Sequence, residues 1–159
     1  MAARKILAIA SGGGHWIQLY RMRPAFDGHH VIYVSTMPDL GPSITQDAAA
    51  RGQPQPDYVV LPEANRWQKI KMFKLLFAIA VLLVRVRPDF IISTGAAHGF
   101  FAIRLGKFMG AKTIWVDSIA NAEMLSMSGR LIKSHATHCL SQWQDVAEQE
   151  SAMFRGAVL

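Results

Sequence analysis

A histidine follows three consecutive glycines near the start of the chain, in the stretch "SGGGHW" from Ser11 to Trp16. The apolar run before it, Ile6 to Ala10, has the length of one buried strand. A glycine turn between a strand and a helix presents bare backbone amides, which can hold an anion such as a phosphate, or a sugar oxygen. His15 would lie in the first helical turn, where the dipole favours a neutral ring, so it is a candidate general base. The alternative is a histidine that only caps the turn or packs beside Trp16.

Two other interpretations of this loop fail on spacing. The dinucleotide fingerprint G-x-G-x-x-G is met by Gly12 and Gly14, but its last glycine would fall at Ile17, and no Walker-type phosphate loop is present. A secretory signal would need an apolar core of about 7 to 15 residues. Because the run from Ile6 to Ala10 is shorter, we expect the segment to belong to the mature protein.

The remaining elements predict a parallel sheet. Strand-like apolar runs alternate with stretches long enough for helices, a pattern typical of a sheet covered on both faces. The predicted strands are Ile6 to Ala10, His30 to Ser35, Tyr58 to Leu61, Phe90 to Ser93, Thr113 to Val116 and Thr137 to Leu140. The predicted helices include Trp16 to Phe26, Ile44 to Arg51, Trp67 to Val86 and Gly99 to Met109. Right-handed crossovers then give an α/β, Rossmann-like, doubly wound domain, and 159 residues suit one such domain spanning 1–159.

The carboxyl ends of parallel strands share one sheet edge, where open α/β domains bind ligands. Polar residues and glycines follow each predicted strand, so they should converge on this rim. Their order along the chain is Gly12, Gly13, Gly14 and His15, then Thr36, then Glu63, Asn65 and Arg66, then Thr94 and Gly95, then Asp117, Ser118 and Asn121, and finally Gln142 and Trp143. Asp117 and Glu123 have no histidines at ligand spacing beside them, so hydrogen bonding or helix capping is expected of them rather than metal binding. His135 and His138 are expected to be structural or solvated.

The segment 67–86 predicts a helix at a membrane surface. Its uninterrupted apolar core, Leu75 to Val84, is too short to span a bilayer, which needs about 20 residues. Basic residues at both ends and an apolar middle suit a helix in the headgroup layer, although an ordinary crossover helix ended by Pro88 is the alternative. The residues expected at the membrane are Trp67, Lys69, Lys71, Phe73, Lys74, Phe77, Arg85 and Arg87.

Composition narrows the function classes. The chain is 51% hydrophobic and 18% charged, so apolar surface is expected to be exposed or covered by a partner. The net charge of +6 is accounted for by six basic residues between Arg66 and Arg87, and no basic motif with interleaved aromatics indicates nucleic-acid binding. The single cysteine, Cys139, excludes a disulfide framework and fits a reducing compartment.

The stretch from Ser93 to Ile132, together with "SGGGHW" and "PEANR", resembles the bacterial polysaccharide-biosynthesis proteins of the PssD and EpsE type. These are related to the membrane-anchor subunit of the eukaryotic two-subunit UDP-GlcNAc transferase that acts on dolichol-linked GlcNAc. More distantly, the chain is similar to the N-terminal half of the enzyme that adds GlcNAc to the lipid-linked peptidoglycan precursor. Two departures stand out: the eukaryotic relatives carry an N-terminal membrane anchor, which is not expected here, and His98 stands where the bacterial relatives have a proline.

The resemblance implies the acceptor half of a GT-B glycosyltransferase, with the donor nucleotide sugar, expected to be a UDP-sugar, held by a separate subunit. His15 would be the base for the acceptor hydroxyl, and no cofactor or metal is implied. The residues implied to line or support the cleft are Gly12, Gly13, Gly14, Glu63, Asn65, Arg66, Thr94, Gly95, Asp117, Ser118, Asn121, Ser128, Gly129 and Arg130. The expected function is sugar transfer to a polyprenyl-diphosphate-linked acceptor in exopolysaccharide or capsule synthesis, at the cytoplasmic face of the inner membrane. The rival hypothesis is a noncatalytic membrane adaptor that recruits the catalytic subunit.

Overall fold

A computed structural model describes residues 2–64 and 67–158. Within these ranges seven strands form one parallel sheet in the order β3-β2-β1-β4-β5-β6-β7. The strands are β1 (Lys5–Ile9), β2 (His30–Ser35), β3 (Asp57–Val60), β4 (Phe90–Ser93), β5 (Lys112–Val116), β6 (His138–Ser141) and β7 (Met153–Phe154). The α-helices are α1 (Gly14–Arg21), α2 (Gly41–Ala50), α3 (Lys69–Val86), α4 (Ala96–Phe108), α5 (Met127–Ile132) and α6 (Gln144–Gln149). The predicted Rossmann-like fold class is therefore confirmed.

Apolar side chains on both faces of the sheet produce two core layers. Alternation along β1 sends Leu7 and Ile9 to the layer covered by α3 and α4, and Ile6 and Ala8 to the layer covered by α1 and α2. The buried residues Leu75, Ile79 and Leu83 recur every fourth position along α3, so one side of that helix packs on the sheet. The sheet thus places every loop after a strand on the same edge.

Most predicted elements are present with bounds shifted by one to three residues, and β2 and β4 have the predicted bounds. One prediction was wrong: the single helix expected from Trp16 to Phe26 is divided. α1 ends at Arg21 and a separate 3-10 turn covers Arg23–Phe26, where Pro24 cannot donate a helical hydrogen bond. The short elements α5, α6 and β7 were not predicted, because two to six residues carry too little periodicity.

α3 begins at Lys69, two residues after the predicted start, and ends at Val86. Its 18 residues run from the carboxyl edge of the sheet to the amino edge, since it connects the end of β3 to the start of β4. No helix within residues 2–64 and 67–158 combines the length and apolar content needed to cross a membrane.

Candidate functional site

The loops after β1 and β4 meet at the point where the strand order reverses. The chain progresses outward from β1 through β2 to β3 and then returns to β4 on the other side of β1. His15 Nδ1 lies 2.8 Å from the Thr94 carbonyl oxygen, and Thr94 Oγ1 donates in return to the His15 carbonyl at 2.6 Å. Because a carbonyl oxygen only accepts, Nδ1 carries the proton, and the neutral ring has its lone pair on Nε2. This is the tautomer that a general base needs at Nε2.

Glycine at position 95 makes room for the imidazole. Gly95 has φ 142° and ψ −168°, a region that side-chain-bearing residues rarely adopt. A Cβ at this position would lie 2.6 Å from His15 Nδ1 and would also collide with Cε1. The neighbouring Ala96 has φ 64°, which is strained for a residue other than glycine. The β4–α4 turn therefore keeps an uncommon backbone shape directly beside the histidine.

The β1–α1 turn presents unpartnered amides on the same rim. Gly12 N donates to Thr36 Oγ1 at 3.1 Å, which ties the turn to the end of β2. Gly13, with φ 75°, precedes α1, and no described group accepts from the amides of Gly13 and Gly14. The amino termini of α1 and α4 thus converge near His15, an arrangement that favours a negatively charged oxygen.

Asp117 is buried, and its side chain forms hydrogen bonds within the loops of the rim. Its side chain is 2% exposed at the end of β5. Its carboxylate accepts four hydrogen bonds, from Trp115 Nε1 at 2.9 Å, Asn121 Nδ2 at 3.0 Å, and the amide and hydroxyl of Ser126 at 2.7 and 2.6 Å. Ser126 in turn caps α5 by accepting from Gly129 N at 2.9 Å. A buried carboxylate with this many donors organises the loop 117–126.

Two glutamines complete the rim, and sequence reasoning missed the role of Gln18. Gln18 Nε2 donates to Ser118 Oγ at 3.1 Å, while its Oε1 accepts from Ile119 N at 3.0 Å and from Gln142 Nε2 at 2.6 Å. Gln142 Nε2 also donates to the Asp117 carbonyl at 2.9 Å. The available signal was an amide side chain between Trp16 and Leu19, which are both buried, although Ile17 is exposed.

The remaining predicted cleft residues are distributed around the rim. Glu63 is exposed in the loop after β3, Ser128 is half-buried on α5, and Arg130 is exposed there, whereas Gly129 is buried. Asn65 and Arg66 lie outside the described residues. The structure therefore places one group of residues at the same sheet edge: the segment 12–15, Thr94, Gly95, Ser118 and the Asp117 network. The other predicted residues nearby are Asn121, Ser128, Gly129 and Arg130.

His98 anchors the loop after β3 to α4. Its Nε2 donates to the Pro62 carbonyl at 3.0 Å, and its Nδ1 is buried without a hydrogen-bond partner. Burial lowers the pKa of the imidazole below its usual value, opposed by the bond to Pro62 and by the charge of Glu63. A neutral ring protonated at Nε2 fits this geometry, which provides the structural role that the sequence did not indicate.

Among the residues that the structure describes, no group of three or more His, Cys, Asp and Glu side chains is placed to bind a metal ion. The chemistry available at the rim is that of an imidazole whose Nε2 is free of described partners, beside unpartnered backbone amides, which suits proton transfer near an anion.

The side of α3 that faces away from the sheet is apolar. Ile70, Phe73, Phe77 and Val84 are exposed at helical spacing, with exposed fractions between 59% and 76%. Trp67, just before the helix, is 79% exposed. The predicted basic residues of this segment are also exposed: Lys69, Lys71, Lys74, Arg85 and Arg87. α3 is therefore buried along one side and presents apolar and cationic groups on the other.

Residues 65–158 match the profile of the family described as "Oligosaccharide biosynthesis protein Alg14 like". The chain is 25% identical to the "UDP-N-acetylglucosamine transferase subunit ALG14" of Yarrowia lipolytica, over 91% of this chain and 76% of that protein. The expected relation to this eukaryotic subunit is therefore confirmed, and the narrower likeness to PssD and EpsE proteins stays a prediction.

Solved structures show the same fold. MurG of Acinetobacter baumannii matches with a TM-score of 0.69 at 10% identity, over 90% of this chain and 43% of that one. The UDP-N-acetylglucosamine 2-epimerase of Rickettsia bellii matches with a TM-score of 0.67 at 16% identity, over 94% of this chain and 42% of that one. The chain thus spans less than half the length of these structures, and its fold is that of the N-terminal half of a GT-B glycosyltransferase.

Proposed function

The chain belongs to the Alg14-like family of oligosaccharide biosynthesis proteins, and we propose that it is the acceptor-side subunit of a two-component glycosyltransferase. The donor nucleotide sugar is held by a separate subunit, and the acceptor is a sugar linked to a polyprenyl diphosphate, in exopolysaccharide or capsule assembly. The observation that carries the proposal is the position of His15, fixed by Thr94 in the crevice between β1 and β4.

His15 acts as the general base in this proposal. Its Nδ1 proton is engaged by the Thr94 carbonyl, so Nε2 accepts the proton of the acceptor hydroxyl. The hydroxyl oxygen forms the bond to the anomeric carbon of the donor while the bond from that carbon to the nucleotide diphosphate breaks. The leaving diphosphate departs with the electron pair of the broken bond, on the side of the donor-binding subunit.

The unpartnered amides of Gly13 and Gly14, together with the amino terminus of α4, hold the acceptor near His15. They suit a phosphate of the lipid diphosphate or an oxygen of the acceptor sugar. Gly13 and Gly95 permit the backbone of both turns to approach such a group closely. The supporting network of Asp117, Gln18 and Gln142 keeps the three loops of the rim in one arrangement.

Membrane contact through α3 brings the lipid-linked acceptor to the rim. The exposed apolar side of α3 enters the headgroup layer, and the basic residues at its ends contact anionic lipids. The chain is then peripheral at the cytoplasmic face of the inner membrane, where nucleotide sugars are available.

Reconstitution tests the proposal. Transfer of label from UDP-GlcNAc, the donor in the name of the Yarrowia relative, is measured into a lipid extract with this chain alone, its copurifying partner alone, and both. Activity is expected only in the mixture, and His15→Ala is expected to lower turnover by about 10² to 10⁴ while partner binding persists. Full activity of the partner alone would contradict the catalytic proposal and support the adaptor. If UDP-GlcNAc gives no transfer, other UDP-sugars are tested in the same three mixtures.

A further inference from the structure

A large cavity opens at the sheet edge opposite His15. Its volume is about 790 Å³, and it lies between the carboxyl ends of α3 and α4 and the first residues of β4 and β5. The side chains that define its chemistry are Arg4, Val84, Arg87, Asp89, Met109 and Lys112. The proposed reaction uses none of these residues.

Positive charge exceeds negative charge in this cavity. The cavity lining contains three cationic side chains, Arg4, Arg87 and Lys112, and one carboxylate, Asp89. Asp89 already accepts a hydrogen bond from Lys5 N at 2.8 Å and forms an ion pair with Arg4 at 3.6 Å. Neither Arg87 nor Lys112 has an ion pair with any residue in the described ranges. The cavity therefore retains two cationic side chains for an anion.

Capping of the nearby helix ends does not explain these two cations. At the end of α3, the Leu83 carbonyl accepts from Arg87 N at 2.8 Å and the Val86 carbonyl accepts from Lys5 Nζ at 3.2 Å. At the end of α4, the backbone amides of residues 109–111 donate to carbonyls of the last turn. Because these carbonyls already have donors, neither the Arg87 guanidinium nor the Lys112 ammonium is needed as a cap. Lys112 Nζ lies over the Phe90 ring, 5.8 Å from its centroid, a contact that uses none of its N–H groups as donors to an oxygen.

Exposed apolar side chains also line the cavity. Val84 and Met109 line it and are 59% and 46% exposed, and the adjacent Phe108 is 83% exposed. Val84 also borders a groove of about 270 Å³ on the outer surface of α3, formed with Ala80, Val81 and Arg85. The groove and the cationic cavity thus share Val84, on the side of α3 that we place at the membrane.

We propose that this cavity binds the headgroup of one anionic phospholipid. The lipid phosphate lies between Arg87 and Lys112, and an acyl chain follows the groove of Ala80, Val81 and Val84. The apolar groove selects a lipid over free phosphate. The inference rests on the proposed function only in placing α3 at the membrane. It adds a stoichiometric anchor about 27 Å from the rim, the length of an 18-residue helix.

Native mass spectrometry of the full chain in mild detergent with added phosphatidylglycerol tests the site, because no bilayer surface is present to attract charge. Wild type is expected to carry one lipid. The double variant Arg87→Gly with Lys112→Gln is expected to raise the apparent Kd at least tenfold. Glycine suits position 87 because its φ is 48°. The matched control, Arg21→Gln with Arg155→Gln, removes the same charge at exposed positions outside α3 and outside the cavity lining, and is expected to change the Kd less than threefold.

An equal loss of affinity for phosphatidylglycerol in both double variants would overturn the headgroup site. Displacement of the lipid by millimolar inorganic phosphate would overturn it as well. Flotation of the Arg87→Gly with Lys112→Gln variant with vesicles that contain phosphatidylglycerol, measured in parallel, reports on α3 without the cavity. Absence of binding to these vesicles by both wild type and the variant would contradict the proposed membrane contact, whereas the one-lipid adduct of wild type would still decide the cavity. The two failures are therefore distinguishable.

Discussion

Replacing Gly95 by alanine is expected to displace His15, and this substitution tests the geometry of the site. The added methyl carbon would lie 2.6 Å from His15 Nδ1. Ordinary contact between non-bonded heavy atoms needs about 3.5 to 4.0 Å, so the ring must retreat by about 1 Å. The 2.8 Å bond from Nδ1 to the Thr94 carbonyl cannot survive that movement unchanged.

The expected magnitudes follow from two separate costs. The backbone at φ 142° and ψ −168° disfavours alanine by about 1 to 3 kcal/mol of unfolding free energy. Displacement of a catalytic group by about 1 Å can lower turnover by about 10², equivalent to about 2.7 kcal/mol in the activation barrier. Gly95→Ala should therefore lose both stability and activity.

Gly110→Ala is the matched control. Gly110 also has a positive φ, 86°, but a Cβ there meets no atom within 4 Å, and the residue lies at the opposite sheet edge. Denaturant unfolding should show a loss of stability of about 1 to 2 kcal/mol in Gly110→Ala. Sugar transfer by the complex with the donor-binding partner should remain within about twofold of wild type.

A double-mutant cycle with His15→Ala separates a collision from a backbone effect. Without the imidazole, the stability cost of Gly95→Ala should fall to that of the backbone alone, and the double variant should be no less active than His15→Ala. Strict additivity of the two substitutions in both unfolding free energy and turnover would refute the argument that Gly95 acts by making room for His15.

Three further predictions concern other parts of the chain. Burial lowers the pKa of His98, so below pH about 6.5 the unfolded chain binds a proton that the folded chain does not bind. As the pH falls below this value, the unfolding free energy should decrease by up to about 1.4 kcal/mol per pH unit, and His98→Gln should lack this contribution. Parallel pH profiles of unfolding free energy for the two proteins would contradict this prediction. Phe73→Ser with Phe77→Ser should lower the affinity for vesicles, measured by flotation, by about 10-fold or more, since each exposed ring contributes about 1 to 2 kcal/mol to binding when it inserts. An unchanged affinity would contradict the placement of α3 at the membrane. Asp117→Asn should lower the unfolding free energy by about 2 to 4 kcal/mol in denaturant titration, because the new amide NH₂ would face N–H and O–H groups whose hydrogen bonds the carboxylate accepts. A change below about 0.5 kcal/mol would contradict the role of Asp117 in organising the loop.

The sheet and its rim could be predicted from the sequence because each buried strand is a short apolar run followed by a glycine or polar residue. His15 and Thr94 are 79 residues apart, yet Thr94 directly follows β4 and His15 lies in the first turn of α1, after the glycine loop that follows β1. A parallel arrangement alone therefore implies that they share an edge. Their direct hydrogen bonds required the strand order, since only the adjacency of β1 and β4 places these two loops side by side.

The buried support of the rim could not be predicted in the same way. Gln18 and Gln142 are 124 residues apart, and neither belongs to a pattern of fixed spacing. Asp117 was expected at the cleft from its position after β5, but its burial depends on the path of the loop 117–126, which has no periodicity. Polar contacts between loops depend on the whole fold, whereas apolar periodicity is a local property.

The direction of α3 links the proposed chemistry to the proposed membrane contacts. The helix starts after β3, at the sheet edge that carries His15, and ends at the edge that carries Arg87 and Lys112. A helix lying in the headgroup layer therefore holds both edges at the membrane surface, about 27 Å apart. In the proposed arrangement, a diphosphate attached to a membrane lipid can reach the amides beside His15 without leaving the bilayer, while a lipid bound near Arg87 limits rotation of the domain about the edge that carries His15. Loss of the Arg87 contact should consequently weaken orientation on the membrane more than it weakens attachment.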